Sequence, residues 1–143
     1  MTKTSGRRYV TIFFFLVYAL VLIKLILFKH PLGGVVTDVW FSVRTGNYVP
    51  LTTIIGYLSG EPSWQIAIVN LLGNIILFVP FGIFLPLIFR SMTGKKVVAY
   101  AIVCSVTLEI CQIFLMGTPD IDDVFLNTLG ALIGYFAWRL VRK

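Results

Sequence analysis

The sequence predicts an all-α membrane protein with four transmembrane helices and an interfacial or re-entrant segment between the first two. Three observations carry that prediction. The composition is 58% hydrophobic against 13% charged, where soluble domains are about half apolar and about a quarter charged. The mean hydropathy is +0.93. The apolar residues also gather into four runs long enough to cross a bilayer. A water-soluble core, a disordered tail and a secreted disulfide scaffold fit this pattern poorly. The formal charge is +6, but Lys and Arg cluster at the ends of the apolar runs rather than along one face, so no nucleic-acid partner is expected.

The first run covers about residues 9–28 and follows a basic start, Lys3, Arg7 and Arg8. At about 1.5 Å per residue it spans about 30 Å, the thickness of the hydrocarbon core. A cleaved signal peptide also begins with basic residues, but no small-x-small cleavage site follows Phe28 and further spans come later. The remaining spans fall at about 64–89, 97–116 and 124–141, each able to cross with some tilt. The whole chain, 1–143, reads as a single membrane domain with no internal repeat.

Charge sets the orientation. The connection Arg90-Ser91-Met92-Thr93-Gly94-Lys95-Lys96 is basic, whereas Gly117-Thr118-Pro119-Asp120-Ile121-Asp122-Asp123 has three acids and no Lys or Arg. Lys3, Arg7, Arg8, Arg90, Lys95, Lys96, Arg139, Arg142 and Lys143 fall on one side, nine of the 12 basic residues. The positive-inside rule then makes both termini cytoplasmic. Asp38, Glu61 and the last loop face outward, and Glu109 lies in the outer half of the third span. Lys24 is near the outer end of the first span, where its stem carries the ammonium to the interface; a salt bridge to Glu109 is the alternative.

The 29–63 connection contains two apolar pieces, 35–43 and 49–58, too short to span. They are expected to lie at the surface or dip into the bundle. Trp40, Tyr48, Tyr57 and Trp64 suit the headgroup layer, which accommodates an apolar ring with a polar tip.

The candidate site comes from polar residues that should not face lipid. Glu109 is roughly 10 Å below the outer interface, where an unpaired carboxylate is costly. Ser105 and Gln112 share its helix face at i−4 and i+3. On the second span Asn70 and Asn74 are four apart, and on the fourth Asp123, Asn127, Gly130 and Gly134 form one stripe. Asn70, Asn74, Glu109, Gln112, Asp123 and Asn127 therefore come to about one level, beside Asp120 and Asp122, and an outward-facing polar pocket is expected there. The bland alternative is that they are interhelical glue, each worth a fraction of a kcal/mol to about 2 kcal/mol. Gly130-x-x-x-Gly134 reads as a close-packing seam, and Pro80 with Gly82 as a bend near the middle of the second span.

Other chemistries find little support. Cys104 and Cys111 are about 10.5 Å apart along one helix, too far for a disulfide. The single histidine, His30, sits beside Lys29 and Pro31 in a loop, so neither a His-based triad nor a zinc set can be assembled. Asp120, Asp122 and Asp123 lack the glycine and distal Glu of a calcium loop, and a solvated loop that also caps the fourth helix is the simpler reading. No cofactor or bound metal is expected.

Taken in order, Asn47-Tyr48-Val49-Pro50-Leu51, the run from Asn70-Leu71-Leu72-Gly73-Asn74 to Pro80-Phe81-Gly82, Glu109-x-x-Gln112, and Asp120-Ile121-Asp122-Asp123 continuing to Asn127-Thr128-Leu129-Gly130 resemble the VanZ-like family. The resemblance implies a small multi-pass protein of the bacterial plasma membrane, in a family whose founding member is linked to resistance to the glycopeptide teicoplanin. Many relatives carry an Arg before the aspartates, where this chain reads Leu115-Met116-Gly117-Thr118-Pro119. Arg44 is left as the external guanidinium.

Three functions follow as expectations. In the first, the outer pocket, with Arg44 beside it, engages a lipid-linked cell-wall precursor or a lipoglycopeptide, and the lipid bilayer is the other partner. In the second, a membrane enzyme uses Glu109 as general base on a lipid-linked substrate. In the third, the chain is a structural subunit. The oligomeric state is not legible in the sequence.

Overall fold

A computed structural model describes residues 3–27, 38–115 and 117–142. Among these the secondary structure is helical, in the order α1 (Lys3–Leu27), α2 (Val39–Thr45), α3 (Thr52–Leu58), α4 (Trp64–Ile88), α5 (Gly94–Phe114) and α6 (Ile121–Val141). The ends expected for two spans at Phe28 and Met116, the positions of Lys29 and His30, and the start of the 35–43 piece lie outside the described residues.

Four helices, α1, α4, α5 and α6, are long and apolar enough to cross a membrane. The protein is therefore a multi-pass membrane protein. Its helix starts follow local chemistry. Asp38 accepts the Phe41 amide at 2.7 Å to begin α2, Ser63 accepts that of Ile66 at 3.3 Å to begin α4, and Thr93 accepts that of Lys96 at 3.4 Å to begin α5. Each satisfies one of the amides that a helix N-terminus leaves unpaired. Among the described residues, the 29–63 connection contributes two short helices, α2 and α3.

The packing is uneven. α4 and α6 form the most extensive helix pair, and glycines make it possible. A Cβ on Gly82 would fall 1.8 Å from the Ala131 carbonyl oxygen, one on Gly130 would fall 2.1 Å from that of Ile75, and one on Gly134 would fall 2.0 Å from that of Val79. The two backbones thus touch directly, which matters in lipid because close van der Waals packing replaces the hydrophobic drive between helices. Gly82, expected to help bend α4 beside Pro80, also belongs to this seam. α4 continues as helix through both Pro80 and Pro86.

Phe78, Val97 and Ala131 are fully buried at the centre, with Phe81, Leu85, Ala101, Leu108 and Tyr135 around them. α1 is peripheral: 11% of its span is buried, against 39%, 33% and 39% for α4, α5 and α6. Leu22 and Ile26 pack it onto the core, and the Tyr18 hydroxyl donates to the Leu77 carbonyl at 2.7 Å. Lys24 is exposed in the last turn of α1.

Candidate functional site

One end of the bundle gathers the start of α4, the end of α5, the start of α6 and the α2–α3 connection. Four carboxylates and several amides meet there. Asp120 is the N-cap of α6, with extended backbone, and its Oδ1 accepts the Asp122 amide at 2.9 Å. The same oxygen accepts from the Asn47 side-chain nitrogen at 2.9 Å. Asp120 in turn donates its own backbone N–H to Glu109 Oε2 at 2.8 Å. Glu109, 8% exposed, thereby holds the start of α6 against the end of α5.

Asp122 has a different task. Its carboxylate is fully buried. Oδ1 accepts the Leu51 amide at 2.6 Å, and Oδ2 accepts those of Thr53 and Ile54 at 2.8 and 3.1 Å. These are the opening amides of α3, whose own N-cap position, Leu51, offers no side-chain acceptor. A carboxylate beside a helix N-terminus also meets the positive end of the helix dipole. The aspartate expected in a solvated loop is therefore a buried cap for a helix elsewhere in the chain.

The chain around residue 47 completes the tie. Asn47 and Asp120 form an isolated parallel β-bridge, with Asn47 N–H donating to the Pro119 carbonyl at 2.9 Å and Ile121 N–H to the Asn47 carbonyl at 3.0 Å. The Asn47 side chain donates to Thr53 Oγ1 at 2.9 Å and accepts the Val49 amide at 3.1 Å. The neighbouring chains run so close at Gly46 that a Cβ there would fall 2.7 Å from Pro119 Cγ and 2.8 Å from the Tyr48 hydroxyl.

The spanning helices add their own polar bonds. Asn74 on α4 donates to Asp123 on α6. Deeper in the bundle, Asn127 donates to Ser105 Oγ at 2.8 Å, joining α6 to α5. Gln112 donates to the Ile26 carbonyl at 3.1 Å and so fastens α5 to α1. Asn70 does not join the cluster through its amide nitrogen, which donates to Ile66 O of its own helix at 2.9 Å. Arg44 is exposed in the last turn of α2 and lines a cleft of about 450 Å³ with Asp38, Trp40 and Phe41. A second cleft, of about 410 Å³, lies between Thr53, Gly56, Tyr57, Glu61 and Pro62. Burial, with the negative charges of Asp123 and Asp120, raises the Tyr57 phenol above its ordinary pKa.

The structure thus brings Asn74, Glu109, Asp120, Asp122 and Asp123 into one hydrogen-bonded assembly, with Asn127 and Gln112 as separate ties and Arg44 exposed apart from it. Sequence reasoning gave no site role to Asn47 or Thr53, and placed Ser105 only on the helix face of Glu109. For Asn47 a local signal exists: Asn followed two residues later by an amide it can accept is a turn-forming pattern. For Thr53 there is none, because its amide meets Asp122, 69 residues away, and its hydroxyl meets Asn47 only across the turn before α3.

A family model described as VanZ/LLP1 matches residues 15–142. The chain is also 31% identical over 127 residues to the protein named Protein VanZ from Enterococcus faecium, covering 88% of this chain and 71% of that one. No solved structure matches.

Proposed function

The chain belongs to the VanZ-like family, and from that premise we propose that it contributes to teicoplanin-type glycopeptide resistance by engaging an amphiphile at the outer face of the bacterial plasma membrane. The amphiphile is a lipid-linked wall precursor or the lipoglycopeptide itself. One observation carries this reading: Asp122 holds the start of α3, Asp120 holds Asn47 after α2, and Glu109 ties the start of α6 to the end of α5, so a polar platform stands at this end of the bundle. A platform held this firmly can present Arg44, Trp40 and Tyr57 with little ordering cost on binding. Arg44 suits a phosphate or carboxylate by its planar fork of donors. Both termini are cytoplasmic in this reading, supported by the nine basic residues on their side.

The test is teicoplanin susceptibility of a Gram-positive host expressing the native chain, Arg44→Gln or Glu109→Gln at matched membrane abundance, against empty vector. Protection that is lost in Arg44→Gln and kept in part in Glu109→Gln supports binding at the outer face. Equal protection by native chain and Arg44→Gln removes Arg44 from the site. Complete loss in Glu109→Gln, with membrane abundance and melting temperature intact, favours catalysis by that carboxylate. No protection by the native chain sinks the proposal.

A further inference from the structure

At the opposite end of the bundle, the connection between α4 and α5 frames a cleft of about 380 Å³ lined by Phe89, Ser91, Met92, Lys96, Tyr100 and Val103, among others. Its lining is graded. Lys96 and Ser91 form a polar end, and Tyr100 and Val103 continue along α5 as an apolar wall that is 53% and 65% exposed. Arg90 and Lys95 adjoin lining residues in the chain, and the connection 89–96 contains no acid.

The geometry points to a binding site for one anionic phospholipid, with its phosphate at Lys96 and an acyl chain along Tyr100 and Val103. Lys96 is already oriented, because its ammonium donates to the Ser91 carbonyl at 3.1 Å. An ammonium has three donors, so two remain for phosphate oxygens. The start of α5 adds partial positive charge from its first-turn amides. Met92 packs on the core and holds the connection down, so the charged end stays level with the headgroups. A zwitterionic lipid offers the same chains but brings its own cation to a site with Lys96 in its lining and Arg90 and Lys95 beside it in the chain, and charge complementarity favours the anionic one. The site shares no residue with the carboxylate cluster and stands independently of the proposed function.

The test is native mass spectrometry of the full chain released from detergent, titrated with dioleoyl phosphatidylglycerol or dioleoyl phosphatidylcholine. The native chain should retain phosphatidylglycerol preferentially. Lys96→Gln should weaken that retention about fivefold, the effect of one basic residue near an anionic surface, while Arg142→Gln, which removes one charge at the end of α6 without touching the cleft lining, should leave it unchanged. If Lys96→Gln lowers the melting temperature, Lys96→Arg supplies the check and should keep the preference. Equal retention of both lipids, equal losses in Lys96→Gln and Arg142→Gln, or displacement of the lipid by inorganic phosphate at matched concentration would each overturn the site.

Discussion

Asp122 accepts the backbone N–H of Leu51 at 2.6 Å, and Leu51 holds a left-handed backbone, φ 69°, which costs a residue with a side chain about 1–2 kcal/mol. The buried carboxylate and the strained turn are two halves of one joint. Leu51 turns the chain so that α3 begins facing α6, and Asp122 supplies the acceptors that α3 lacks. Asp122→Ala would leave three amides without their acceptor and should destabilise the protein by about 3 kcal/mol. Leu51→Gly in that background should recover part of the loss. Thermal unfolding in detergent, with limited proteolysis between residues 46 and 60, measures both, and an Asp122→Ala protein that melts like the native chain would refute the joint.

The α4–α6 seam makes an equally sharp prediction. Gly82→Ala, Gly130→Ala and Gly134→Ala each force a methyl group against a backbone carbonyl, and each should cost about 2 kcal/mol or more as the helices separate. Gly73→Ala is the control. It lies in the same helix as Gly82, a Cβ there meets nothing within 4 Å, and helix propensity alone should stabilise it by up to about 1 kcal/mol. Opposite signs for Gly73 and Gly82 in one melting series are the expected result.

These two cases mark how far the sequence reaches. The spans are legible because lipid demands a run of apolar residues of bilayer length, and Gly130-x-x-x-Gly134 is legible because both residues lie on one helix. The role of Asp122 is not. Asp120, Asp122 and Asp123 look alike in a short acidic stretch, and the amides that distinguish Asp122 lie some 70 residues away, the separation being 71 for Leu51 and 69 for Thr53. Asn70 and Asn74 show the same limit from the other side. They share a spacing, yet Asn70 bonds back to Ile66 while Asn74 reaches Asp123, because phase within α4 decides which one meets α6.

Tyr57 should report on the carboxylates through its titration. Burial first, then the charges of Asp123 and Asp120, raise its pKa above 10.0. The neutral phenol is therefore favoured in the folded state, so its contribution to stability is complete below about pH 10 and falls as pH rises from there through the folded-state pKa. Stability of the native chain should decline more steeply above pH 10.0 than that of Tyr57→Phe. The phenolate absorbance that Tyr57→Phe removes should also appear above pH 10.0, and Asp123→Asn should lower its midpoint. A Tyr57 midpoint unchanged in Asp123→Asn would contradict its closeness to that aspartate.

Gln112 tests how α1 is held, since that helix buries little of its own surface. Its amide nitrogen donates to the Ile26 carbonyl, in the last described turn of α1. Its Oε1 is buried without a partner among the described residues. Gln112→Leu removes a useful donor and an unsatisfied acceptor together, so the two effects oppose and the net change should stay within about 1 kcal/mol. Gln112→Glu keeps the shape, removes the donor and sets an acceptor against the Ile26 carbonyl in a site that is 4% exposed, which should cost about 3 kcal/mol or more. Hydrogen exchange at the end of α1, read beside the melting temperature, separates loss of this tie from general unfolding. Faster exchange confined to that end in Gln112→Glu, with Gln112→Leu close to native, is the expected pattern. The reverse order would mean that Oε1 rather than the amide nitrogen makes the contact that matters.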